Sequence, residues 1–250
     1  MKNQLRKDLL EAVRTYRAYV IVGAFVAFGI ISPVLMKVLP NILPESEEFQ
    51  VIVGDTTALS AATQYFDNIT QIITLIVVLL AAGITAGKRN SRFFQILFTK
   101  PINRRAVIGS GFVSYTLLIL VGLVLGHACF AIYTELLFGG LRFWGVLESL
   151  VACAACLCML LALTIFMGVV TRRAVVSGVL SLVLFFVLSL LLGLLPLEWE
   201  LAPTALFSRS SEAVVGAAGL AELLPGILFL FVLAAALLYA SMLIFERADL

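Results

Sequence analysis

The chain has 250 residues, of which 62% are apolar and 13% charged, and its formal net charge is +2. Soluble domains run near roughly 45–50% apolar and about 25% charged, and a chain this short has no water-surrounded core large enough to hide such an excess. Disorder, nucleic-acid binding and an ordinary water-soluble enzyme are excluded, which leaves a protein that spans a membrane.

Residues 2–17 come first and are too polar to cross. Leu5, Leu9, Val13 and Tyr16 recur at helical spacing, while Lys2, Arg6, Lys7, Arg14 and Arg17 hold most of the remaining arc. The pattern predicts an amphipathic helix in the membrane interface with its cations toward anionic headgroups; a solvated basic tail is the alternative. A crossing helix needs about 20 mostly apolar residues. The first such window is 18–39. Its basic lead is long, its apolar run exceeds that of a signal peptide and no small-x-small cleavage site follows, so it reads as a retained span. Pro33 is expected to kink it, and Pro40 and Pro44 to end it. The acidic, polar segment 45–68 follows, with a short helix expected around 57–65.

The next four windows are 69–87, 107–133, 146–170 and 174–195. Segment 196–223 is punctuated by Pro196 and Pro203, and its Ala- and Gly-rich part, 213–219, reads as a short re-entrant or surface helix. The sixth window is 224–245. All six are continuously apolar rather than alternating, and backbone groups in lipid must pair within their own segment, so the fold class is an all-α integral membrane protein in one domain, 1–250.

The charges sort by side. Fourteen of the 17 basic residues fall before the first span, between the second and third, between the fourth and fifth, or after the sixth; only Lys37, Arg142 and Arg209 do not. The opposite loops carry Glu45, Glu47, Glu48, Asp55, Asp67, Glu198, Glu200, Glu212 and Glu222. Basic loops stay cytoplasmic, which places both termini inside the inner (cytoplasmic) cell membrane.

The basic loop 87–105 reads GKRNSRFFQILFTKPINRR. Its run Phe93-Phe94-Gln95-Ile96-Leu97-Phe98 is apolar yet too short to cross, it is bracketed by cations, and Pro101 ends any helix before it. Such a run either docks in a groove of another protein or packs back on its own helices and the headgroups.

Together, SPVLMKVLP, TALSAATQYFDNITQI and this loop resemble permease subunits of ABC type-2 exporters. Gly87, Arg89, Leu97, Lys100, Pro101 and Arg104 match the family's loop pattern, and Gln95 stands where it often has Glu; Lys88 replaces its acid, and Arg92 and Phe93 replace its Gly-Thr. The resemblance covers residues 10–110 well and rests beyond them on the six-span layout. It implies a coupling helix at 91–99, carried by Arg92, Phe93, Phe94, Ile96, Leu97 and Phe98 with Pro101 and Arg104, that docks on a separate cytosolic ATPase. It implies two permease chains, identical or paralogous, with two ATPase chains, Arg172-Arg173 as a second coupling turn, and the N-terminal helix as the family's connecting helix. It also brings the second and fifth spans toward the partner permease around the transport route, where Thr70, Gln71, Thr74, Ser177 and Ser181 are the candidate path residues. The alternative is that these hydroxyls bond their own helix carbonyls.

No ATP site is expected in this chain. The nearest run to a phosphate-binding loop, Ala82-Gly83-Ile84-Thr85-Ala86-Gly87-Lys88-Arg89, begins with Ala, ends with Arg and follows a membrane helix. ATP and magnesium are therefore assigned to the partner ATPase, and neither a cofactor, a metal site nor catalytic residues to this chain. Cys153, Cys156 and Cys158 read as small core side chains despite their metal-like spacing, with Cys129 in the third span. His127, the only histidine, is an intramembrane suspect without a sequence-adjacent carboxylate. Gly122-x-x-x-Gly126 reads as internal packing. A gradient-driven carrier would call for midplane carboxylates and inverted repeats, and an embedded enzyme or assembly component would use His127 and the cysteines. A path without fixed charge favours a hydrophobic or amphipathic substrate.

Overall fold

The computed structural model describes residues 2–42, 57–83, 104–171, 173–194 and 201–247. The described residues form α1 (Lys2–Arg14), α2 (Arg17–Ile42), α3 (Ala58–Asn68), a π-helical turn (Ile69–Ile73), α4 (Thr74–Ala81), α5 (Arg104–Leu137), α6 (Phe143–Thr171), α7 (Ala174–Gly193), α8 (Pro203–Val214) and α9 (Leu220–Arg247). Six stretches among them are long and apolar enough to cross a membrane: Arg17–Leu39, Ala58–Ala81, Val107–Leu137, Phe143–Thr171, Ala174–Gly193 and Leu220–Glu246.

Three helices differ from the sequence expectation. The second crossing starts at Ala58, because α3, the π turn and α4 are continuous. The segment expected as a separate short helix around 57–65 is its first part, begun by a capping box in which Ser60 N–H donates to Thr57 Oγ1 and Thr57 N–H to Ser60 Oγ. Polar residues such as Asp67 and Asn68 depress the local hydropathy and hide this continuity. The short helix of the last outer segment is Pro203–Val214 rather than 213–219. Pro203 sits in its first turn, where a missing N–H costs nothing, and Gly216 breaks the chain at φ +83°. Pro40, expected to end α2, does not, and the helix runs on to Ile42.

α6 is the central helix, buried along most of its length by α9, α8, α7, α5 and α4. The most extensive pairing joins α2 to α5 through small residues. A Cβ on Gly126 would lie 2.7 Å from the Phe25 carbonyl oxygen, one on Gly122 2.7 Å from the Phe25 ring, and one on Gly29 against the Gly126 carbonyl. The Gly122-x-x-x-Gly126 pair thus serves an approach within the chain. α8 lies antiparallel on α6. The Cys156 thiol reaches the Pro203 carbonyl at 3.6 Å, and Gly145 meets Ala213. At 1.5 Å per residue, the start of α8 lies about 16 Å further along α6 than its end, roughly half the hydrocarbon thickness. α8 therefore lies along the first half of α6 without running its full length.

Candidate functional site

The starts of α2, α5 and α7 and the ends of α4, α6 and α9 share one end of the bundle, where most of the described basic residues lie. Here α1 docks on the first turns of α5. Asp8 is 5% exposed and accepts a 2.9 Å bond from Ser110 Oγ, with Ala12 buried one turn further on. Arg17 Nη1 donates to Tyr115 Oη at 2.9 Å. From the other side, Arg105 makes a two-pronged ion pair with Glu246 at 2.7 Å per prong, and that bond and charge raise the Arg105 pKa further. The base of α5 is held by α1 and α9 together. Val13 and Tyr16, expected on the apolar face of α1, are exposed; Asp8 and Ala12 occupy the docked face, flanked by the half-buried Leu5 and Leu9. Tyr16, at φ +62°, turns the chain from α1 into α2.

Of the residues read as ATPase-coupling, Arg92, Phe93, Phe94, Ile96, Leu97, Phe98, Pro101 and Arg172 lie outside the described residues. Arg104 begins α5, and Arg173 is the exposed N-cap of α7. The connection from 87 to 103 therefore enters directly the helix that α1 and α9 clamp.

The path candidates separate. Gln71 is exposed and Thr70 half-buried, the Thr70 hydroxyl donating to Phe66 O at 2.8 Å. Thr74 is buried and donates to Ile69 O at 3.0 Å, a five-residue reach that the π turn permits. Ser177 and Ser181 are buried and donate to the carbonyls of Ala174 and Gly178 at 2.8 and 2.9 Å, with Thr164 Oγ1 of α6 3.3 Å from Ser181 Oγ. The small, polar face of α7 packs inward on α4 and α6, Gly178 lying against Ala82 and Val78. Its branched apolar face, including Val175, Val179 and Leu190, looks outward.

A buried polar group that the sequence left unconnected joins α3 to α5. Tyr65 Oη lies 3.0 Å from His127 Nδ1, and the Tyr65 ring stacks on Phe130 at 4.5 Å. His127 Nδ1 also approaches Leu123 O at 3.2 Å, and Nε2 has no partner among the described residues. If Nδ1 carries the proton, Nε2 is a bare acceptor; if Tyr65 donates to Nδ1, Nε2–H is a bare donor. Asn68 adds a 3.0 Å bond to Ser32 on α2. Tyr65 and His127 are 62 residues apart, so no local motif announces them. Tyr65→Phe is expected to lower stability by about 1 kcal/mol, read as an unfolding midpoint in detergent, because it removes one hydrogen bond while keeping the stacked ring. Glu148, six residues into α6, is a second omission: its Oε2 is buried without a partner among the described residues. A carboxylate inside an apolar window is the signal that marks it.

The fold defines a multi-pass helical membrane protein in which the start of α5 is braced by α1 and α9. A family model described as ABC-2 family transporter protein matches residues 3–250, and the chain belongs to that family. It is thus an ABC transporter permease, the membrane component of a transport system rather than an enzyme, and the family implies partnership with ABC ATPase subunits. No individual curated protein matches the chain.

Proposed function

We propose that this permease couples to a separate cytosolic ATPase through residues 91–99 and works as an exporter. Two permease chains and two ATPase chains make the working unit, with both termini cytoplasmic and the inner membrane as its site. Closure of the ATPases on ATP and magnesium pushes on 93–98; Pro101 and Arg104 join that segment to α5; the two permeases then alternate between inward and outward openings. Arg172 and Arg173 form the smaller second contact. Thr70 and Gln71, the more accessible of the path candidates, face the route, and Thr74, Ser177 and Ser181 line it as the helices separate. The route has no obvious ladder of fixed charge, which suits a hydrophobic or amphipathic substrate.

The single observation that supports the coupling is the sequence 87–105, with its cation-bracketed apolar run, entering α5 where α1 and α9 brace it. Co-purification tests it. The permease expressed with the ATPase encoded beside it is expected to retain that subunit. Leu97→Asp, placing a charge in an apolar contact, is expected to weaken the complex at least about 30-fold, the loss of one interface hot spot. A Leu97→Asp variant with wild-type unfolding midpoint that still binds and stimulates the ATPase would overturn the assignment.

A further inference from the structure

We propose that Asp67, with Gln64 and Gln71 beside it, is a binding site within the membrane for the primary ammonium group of an amphipathic substrate. The sequence counts Asp67 among the residues of a loop, but the continuous helical stretch Ala58–Ala81 carries it inside the second crossing. Its depth follows from its neighbours. Tyr65 meets His127 on α5 and Asn68 meets Ser32 on α2, each at 3.0 Å. His127 lies five residues from Gly122, the middle of Val107–Leu137, and Ser32 four from Phe28, the middle of Arg17–Leu39. At 1.5 Å per residue those offsets are about 7.5 and 6 Å, so for spans centred on the bilayer Asp67 stands within the roughly 15 Å half-thickness of the hydrocarbon. It is nevertheless exposed, as are Thr63 and Gln71, one turn to either side on the same line. No hydrogen bond or ion pair joins the side chains of Gln64, Asp67 or Gln71 to another described residue.

A carboxylate turned to lipid is costly, and intramembrane ionisable groups face a water-filled path or a partner. The exposed faces of α7 and α9 follow that rule, carrying Val183, Val187, Leu228 and Val232. The polar stripe on α3 is not a lipid-facing surface of that kind. Nor does it suit the same stripe of a second copy, which would set carboxylate against carboxylate; charge complementarity selects a cation. Gln64 and Gln71 lie three and four residues from Asp67, within reach of one bound group, and their amide carbonyls add two acceptors to the carboxylate. A primary ammonium has three donors and no acceptor, and fills that set. Further along the same helical stretch the exposed line turns apolar at Leu75 and Leu79, 42% and 58% exposed, which suits a hydrocarbon tail. A small soluble cation explains Asp67 but makes no use of Leu75 and Leu79. That this face opens on the transport route rests on the reading proposed above, to which the site adds the substrate's charge and headgroup.

The test uses the whole permease, purified in neutral detergent without its ATPase, and follows the unfolding midpoint. Dodecylamine, protonated at neutral pH, is expected to raise the midpoint saturably; dodecanol, which lacks the charge, and methylammonium, which lacks the tail, are expected not to. Asp67→Asn is expected to weaken the dodecylamine response about 10- to 100-fold, the loss of one charge-assisted hydrogen bond, and Asp67→Glu to recover most of it. A dodecanol or methylammonium response equal to that of dodecylamine, or an unchanged half-saturating concentration in Asp67→Asn, would overturn the site. So would equal binding of dodecyltrimethylammonium, which has no N–H to donate. Labelling in lipid nanodiscs separates this failure from that of the route. A charged maleimide is expected to react with Thr63→Cys and Gln71→Cys above the wild-type background and to spare Val232→Cys on the exposed face of α9. If all three are spared, α3 does not face the route and both readings fall. If the first two react and Asp67→Asn binds dodecylamine like the wild type, the ammonium site alone falls. Disulfide cross-linking of Thr63→Cys between two copies, unaffected by dodecylamine, would make the stripe a contact between permeases and also overturn the site.

Discussion

Gly126→Ala is expected to be among the most destabilising single-methyl additions in the protein, and truncating the neighbouring Phe25 is expected not to rescue it. The three atoms nearest the new methyl at Gly126 all belong to the Phe25 backbone or stem: the carbonyl oxygen at 2.7 Å, Cβ at 2.9 Å and the carbonyl carbon at 3.0 Å. All of them persist in Phe25→Ala. At Gly122 the one short contact is instead with the Phe25 ring, Cδ2 at 2.7 Å, while Cε2 and the Val22 Cα stand at 3.4 Å, ordinary contact distance. Phe25→Ala alone removes a fully buried ring and is expected to cost about 3–5 kcal/mol. Each alanine alone is expected to cost about 1–3 kcal/mol, with Gly126 at or above the upper end because a helix backbone cannot rotate away as a ring can. Two double-mutant cycles separate the cases. Gly122→Ala with Phe25→Ala is expected to cost about 1–3 kcal/mol less than the sum of its parts, and Gly126→Ala with Phe25→Ala to be additive within about 0.5 kcal/mol. Unfolding midpoints in one detergent supply all the terms. Equal coupling in both cycles would mean that α2 and α5 do not meet through these glycines.

The two halves of this contact were unequally legible. A small-x-x-x-small pair in an apolar helix is visible in any sequence, and Gly122 and Gly126 read as packing. Which helix they receive is a long-range fact that only the fold supplies, and it is α2, through Phe25 and Gly29. The same division holds elsewhere. Six spans follow from hydropathy because lipid leaves the backbone no alternative to helix. The first half of the second span escapes the same rule: α3 carries Asp67, Asn68 and several hydroxyls, and only its neighbours make two of these tolerable, Asn68 by bonding Ser32 and Tyr65 by meeting His127. The serines of α7 have the right spacing to line a route, yet in this conformation they turn into the bundle, because small residues allow α7 to approach α4 and α6 closely.

Legibility also failed at α1 for a physical reason. A period count sorts residues by hydrophobicity and assigns Asp8 to the wet side. In the fold Asp8 is buried, since Ser110 offers a donor and Ala12 is small enough for the helix to sit down on α5. The true docked arc is therefore rotated from the apolar one, which leaves Leu10, Val13, Arg6 and Arg14 to the surrounding phase. The start of α5 is thereby tied to α1 by a buried bond and to α9 by the exposed Arg105–Glu246 pair. The buried tie is the stronger constraint, since exposed ion pairs contribute at most about 1 kcal/mol.

Gly145→Val is expected to lever α8 away from α6 and to open the end of the bundle at which α6 begins. The first carbon of the new side chain would fall on the Ala213 carbonyl oxygen, 2.7 Å from its carbon and 3.1 Å from Val214 Cα. Backbone atoms cannot yield, and the strand of chain beneath is pinned by Arg142 N–H donating to Val214 O at 2.9 Å. α8 must tilt, exposing the face on which Leu206, Phe207 and Ser210 are buried. The cysteines of α6 report the motion. Cys153 lies against Ser210 and Cys156 against Pro203, both on α8, whereas Cys158 lies against Thr116 on α5. In single-cysteine variants, labelling of Cys153 and Cys156 by a membrane-permeant maleimide is expected to accelerate about 10- to 100-fold, the change in open population that about 1–3 kcal/mol of overpacking produces. Cys158 is expected to keep its wild-type rate. Acceleration of all three together would mean that Gly145→Val loosens the whole bundle, and no acceleration at Cys153 would mean that α8 is not seated on α6 through Gly145.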